Sequence, residues 1–155
     1  MTSDAIVKAY CKLCIDYYKK YRDGNFIEDF FMHLSEQQNQ HLRKLSKRLS
    51  EPQKRRKDAL KQGLKGVWEH PIPLKYSRSL LTDYIKSGQY AKVDAYITFI
   101  WENTYQVFLI EKWDNKLRTL GLRETMPSGW NWEDNLNNNV FQRYIDAGIP
   151  ESEYL

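Results

Sequence analysis

A carboxylate and an imidazole stand side by side once in this chain, at Glu69-His70 within "KGVWEHPIPLKY" (Lys65–Tyr76). Histidine can act as a general base near neutral pH, and a neighbouring carboxylate can orient it or raise its pKa. The pair therefore supports a hydrolase or nuclease reading, with nearby lysines neutralising a phosphate. On a strand, however, successive side chains point to opposite faces. Glu69 and His70 would then each need another partner, such as Asp114 or Arg123. The following Pro71-Ile72-Pro73 stiffens the backbone and withdraws donors, which suits a turn equally well. No nucleophile elbow or phosphate-cradling glycine loop accompanies the pair, so the sequence shows no catalytic motif.

A second group of residues could bind rather than react. Between Arg43 and Lys65 lie ten cationic residues against two acids, Glu51 and Asp58, in a chain whose net charge is only +4. At about 100° per residue, Lys54, Lys57, Lys61 and Lys65 fall along one helical ridge, with Leu60, Leu64 and Val67 on the next. The helix before it turns Leu42, Leu45 and Leu49 inward and Arg43, Lys44, Lys47 and Arg48 outward. With Arg55, these residues form a candidate surface for nucleic acid or a nucleoprotein. Binding there would be led by phosphate contacts, sensitive to salt and weakly specific. A solvated face that keeps the protein soluble is the plainer explanation. The tail from Glu124 onward is the opposite, with six acids and Arg143 as its sole cation.

Trp130 and Trp132 alternate with polar residues in "RETMPSGWNWED". Such aromatics can plug a partner's pocket or fold back as a lid on the protein's own core. Their acidic neighbours fit a protein partner better than a phosphate backbone, as in an inhibitor or immunity-like module. Cys11 and Cys14 have C-x-x-C spacing, but they lie mid-helix on an apolar stripe. Zinc would need two further ligands, and His33 and His41 are eight residues apart. No metal or cofactor is expected.

The elements that must position these groups follow from periodicity. Apolar residues at steps of three and four mark helices over 4–22, 25–34, 74–86 and from Tyr90 through Trp101. Ser50 with Gln53, and Ser35 with Gln38, have capping-box spacing, so helices begin near Glu36 and Glu51. Gly88, Gly121 and Gly148 mark helix ends. A short helix is expected over 111–120, and a last one using Leu136, Val140, Phe141, Tyr144 and Ile145. "YQVFLI" (Tyr105–Ile110) is β-rich, and a strand needs a partner, for which "GVWEHPI" is the best candidate.

The expected fold is mainly α (α+β), with six to seven short helices and a two-stranded element near residues 66–72 and 105–110. At 155 residues with 41% hydrophobic and 14% aromatic content, the chain suits one domain over 1–155. Any division falls near Gly66, between an N-terminal helical lobe (1–65) and a C-terminal α+β lobe (66–155). The N-terminus lacks a secretion signal and no apolar run spans a bilayer, so a cytoplasmic protein without membrane contact is expected.

Overall fold

The computed structural model describes residues 49–50, 52–54, 56, 63 and 65–155. These combine helices with a small antiparallel sheet, an α+β arrangement. The helices expected over 4–22, over 25–34 and from Glu36 lie outside the described residues. The chain divides into two compact units, one containing 77–102 and the other 46–76 with 103–155. Among the described residues, no helix is long and apolar enough to cross a membrane.

In the first unit, α1 (Leu74–Lys86, its first three residues belonging to the second unit) and α2 (Tyr90–Asn103, its last residue belonging to the second unit) occupy the ranges that the apolar spacing marks out. Leu81, Tyr84 and Ile85 on α1 and Val93, Tyr96, Ile97 and Ile100 on α2 are buried. The two helices are joined by a buried Ser77 Oγ–Tyr96 Oη hydrogen bond of 2.7 Å, and Lys92 Nζ lies over the Tyr84 ring.

The second unit is built on β1 (Gly66–Glu69) and β2 (Val107–Ile110), paired antiparallel with Gly66 opposite Ile110 and Glu69 opposite Val107. This is the partnership expected from β-propensity, with tighter bounds. β1 ends at Glu69 rather than Ile72, because Pro71 and Pro73 have no N–H to continue a ladder. One face of β2 sends Val107 and Leu109 into a core with Leu117, Tyr144, Ala147, Ile149 and Tyr154. On the other face Phe108 meets Trp68 edge-on, with ring centroids 5.3 Å apart. Burial on both faces explains why β2 reads as an unbroken apolar run rather than an alternation.

α3 (Glu111–Thr119) follows β2 directly and packs on both strands. It ends in a Schellman motif: Leu122 N–H donates to Leu117 O, Gly121 N–H donates to Arg118 O, and Gly121 has φ +70°. That reversal redirects the chain at Leu122 and Arg123.

The expectation for the last helix needs correction. α4 spans only Gln142–Asp146, and Leu136 is 91% exposed. Upstream of α4, Asn and Asp side chains take backbone donors before a helix can. Asn131 Oδ1 accepts from Glu133 N–H, Asp134 Oδ1 from Leu136 N–H, and Asn139 Oδ1 from Phe141 N–H. Competition of this kind between short polar side chains and the helical ladder favours turns. Gly148 closes α4 in the same manner as Gly121 closes α3, and a 3₁₀ turn at Glu151–Glu153 precedes Tyr154.

Candidate functional site

The basic segment is described at one helical turn, Pro52–Lys54 with Arg56. Its start is half of the expected capping box. Gln53 N–H donates to Ser50 Oγ at 3.3 Å, but the Gln53 side chain goes elsewhere. Its Oε1 accepts from Phe108 N–H (3.2 Å), and its Nε2 donates to Glu153 O (3.4 Å). The amide is nearly inaccessible at 1% exposure, and it supplies the acceptor that the outer edge of β2 requires at Phe108. Three residues on, Arg56 donates to Ser152 O and pairs with the Glu153 carboxylate. One side of this turn is therefore occupied by the acidic C-terminal turn.

Of the cations assigned to the binding surface, Lys54 and Lys65 are exposed. Arg43, Lys44, Lys47, Arg48, Arg55, Lys57 and Lys61 lie outside the described residues. Lys65 stands immediately before β1, and its carbonyl accepts from Glu111 N–H, tying the end of the basic segment to the start of α3.

Glu69 and His70 are organised by a residue far along the chain. Arg143, on α4, is completely buried, and its guanidinium makes five hydrogen bonds. Nε donates to Pro71 O at 3.0 Å. One terminal nitrogen donates to Leu122 O at 2.7 Å and Arg123 O at 3.2 Å. The other donates to Glu69 Oε2 at 2.7 Å and His70 O at 2.6 Å. The planar fork of arginine suits this work, since it presents several donors in fixed directions. It fastens the end of β1, His70 and Pro71 to the loop after α3.

Burial pushes the Glu69 carboxyl above the ordinary glutamate range; Arg143 opposes the shift, the Asp114 charge adds to it, and Arg123 opposes it more weakly. Asp114 and Arg123, the partners anticipated for this region, thus act on Glu69 through their fields, while Arg143 holds it directly. Burial also pushes the adjacent Tyr144 hydroxyl well above the usual tyrosine range, chiefly through desolvation. In this setting Glu69 is part of a charge-assisted clamp, and the His70 carbonyl belongs to the same clamp.

Arg143 was legible only as the lone cation of an acidic tail. That compositional oddity is the signal that marks it, because a single cation held among carboxylates invites a specific partner.

Trp130 takes the lid role rather than the exposed one. It is buried, its indole N–H donates to Asn139 O at 2.8 Å, and its ring meets Tyr76 edge-on. Trp132 is half-buried. Nearby, hydrogen bonds from the Asn137 amide and the Leu136 N–H hold Asp134 below the usual aspartate range.

Among the described residues no three His, Cys, Asp or Glu side chains gather as a metal ion would require. Compared with known proteins, the chain matches no family model, no curated protein and no solved structure.

Proposed function

We propose that this is a small cytoplasmic binding protein that meets a polyanion, nucleic acid or nucleoprotein, through its basic segment. The observation carrying the proposal is the unequal use of the turn around Gln53. Gln53 and Arg56 are anchored against β2 and the C-terminal turn, whereas Lys54 and Lys65 are exposed. In helical projection of the sequence Gln53 and Arg56 belong with the side of Leu60 and Leu64, while Lys54 begins the ridge of Lys57 and Lys61; Lys65, expected on the same ridge, instead lies beyond a turn at Gly63 (φ +97°) and just before β1, outside any helix. Anchoring the first side leaves the lysine ridge as the one directed at a partner. The acidic tail neutralises Arg56 and so removes one cation from the segment's strong positive charge.

Such a surface attracts phosphates by charge and by release of condensed counterions. For four neutralised phosphates on a single strand, affinity should fall about fifty-fold between 50 and 200 mM salt. Fluorescence anisotropy with a labelled single-stranded 20-mer measures this directly. The triple charge reversal K54E/K57E/K61E should abolish binding with little change in melting temperature. Binding that ignores both salt and charge reversal would refute the proposal.

A further inference from the structure

The acidic end of the chain meets the basic segment at one place. Gln53 and Arg56 are three positions apart, hence on one side of a helical turn, and both reach the same short stretch. Gln53 Nε2 donates to Glu153 O at 3.4 Å, and one terminal nitrogen of Arg56 donates to Ser152 O at 3.2 Å. The other terminal nitrogen of Arg56 pairs with the Glu153 carboxylate. The two charged side chains are 20% and 21% exposed, so the pair sits at the rim of the surface rather than in the core. The turn that carries Glu153 is fixed from the next residue. Tyr154 is buried, with its ring centroid 4.9 Å from that of Phe141 and 5.2 Å from that of Tyr144. Two backbone carbonyls and a buried ring thus hold the turn in place without help from the carboxylate.

We infer that the acidic C-terminal turn is an intramolecular competitor for the polyanion: the Glu153 carboxylate occupies the Arg56 guanidinium in the free protein, and a strand phosphate takes its place on binding. The inference rests on the polyanion reading above and adds a brake acting on that same surface. Carboxylate and phosphate suit the same arginine donors, so the two exclude each other on one terminal nitrogen. Because Tyr154 tethers the carboxylate beside its target, the competitor acts at a high effective concentration. The strand therefore gains this contact only by displacing a charge that the fold keeps close.

The test uses anisotropy with the labelled single-stranded 20-mer on the full chain. Glu153→Gln removes the charge and keeps the side-chain shape. One recovered phosphate contact steepens the fall of log K with log[salt] by about 0.7 on a single strand. With the electrostatic part vanishing near about 1 M salt, the variant should bind about eightfold more tightly at 50 mM and about threefold more tightly at 200 mM. The double variant R56M/E153Q should return to wild-type affinity, since the recovered cation is gone. Glu124→Gln adds the same net charge at the exposed Lys75–Glu124 pair and should leave the affinity unchanged. Glu153→Ala, which keeps both backbone contacts, should repeat the gain, and circular dichroism checks that each variant is folded.

Wild-type affinity and salt slope in both Glu153 variants would overturn the competitor and leave the polyanion reading standing. A gain that survives in R56M/E153Q, or that Glu124→Gln matches, would assign the effect to overall charge and overturn competition at Arg56. Weaker binding by the Glu153 variants, or their failure to fold, would make the carboxylate structural and overturn the inference as well. No binding by any of these proteins would overturn both readings.

Discussion

Replacing Arg143 is the sharpest probe of what holds the second unit together. Arg143→Met keeps a long apolar stem but strands four carbonyl oxygens and the Glu69 carboxylate that the guanidinium now serves. Removing one partner of a buried ion pair typically costs about 3–5 kcal/mol, because the remaining charge stays buried and uncompensated. The hydrogen bonds are not additive with that figure, so a loss of about 4 kcal/mol is expected. Against a typical native stability of about 5–15 kcal/mol, this is a large fraction.

Arg143→Lys preserves the charge, but an ammonium has three donors and no planar fork. It can serve at most three of the five acceptors, and about half the loss is expected. In the double variant R143M/E69Q the orphaned carboxylate is gone, so the combined loss should fall short of the sum by about 1–3 kcal/mol. Urea unfolding followed by tryptophan fluorescence gives all five stabilities: wild type, R143M, R143K, E69Q and R143M/E69Q. A change of less than about 1 kcal/mol for Arg143→Met would refute the clamp as the main fastening. Equal losses for Lys and Met would show that fork geometry plays no part.

Three further outcomes follow from the same contacts. A Cβ added at Gly66 would run into the Leu109 carbonyl oxygen and lie 2.6 Å from Phe108 Cζ; Gly66→Ala should therefore destabilise by about 1–3 kcal/mol in urea melts. Gln53→Ala leaves the Phe108 N–H without its acceptor, at an expected cost of about 1–3 kcal/mol, and hydrogen exchange at Phe108 should accelerate. Because burial raises the folded-state pKa of Glu69 above its ordinary value of 4.5, the native state binds the proton more tightly than the unfolded chain does. The Glu69 contribution should thus be most favourable below about pH 4.5 and decline as pH rises through the elevated folded value. Measured as the stability difference between wild type and Glu69→Gln from pH 4 to 8, the wild type should lose ground with rising pH; a difference that grows in its favour would contradict the burial argument.

Much of the helical framework is legible locally. α1 and α2 answer to apolar residues at helical spacing, and α1 and α3 to the glycines that follow them, Gly88 and Gly121, properties contained within a dozen residues. The sheet is legible because few other segments offer β character, although the proline-driven end of β1 falls earlier than propensity alone suggests. The last helix is shorter than its apolar pattern, since each Asn or Asp side chain competes for a nearby backbone donor and apolar spacing does not weigh that competition.

What the chain determines by itself, then, is its helical periodicity, its stops, its candidate strand pair and its division into a basic segment and an acidic tail. Tertiary structure alone decides that Arg143 reaches back to Glu69, His70 and Pro71, that Gln53 completes the edge of β2, and that Arg56 is neutralised by Glu153. It also decides that Trp130 is buried and that Asp114 and Lys65 line one cleft. The physical reason is sequence separation. Periodicity and turn chemistry act between neighbours, whereas a buried hydrogen bond is satisfied by whichever group the packed chain brings within about 3 Å.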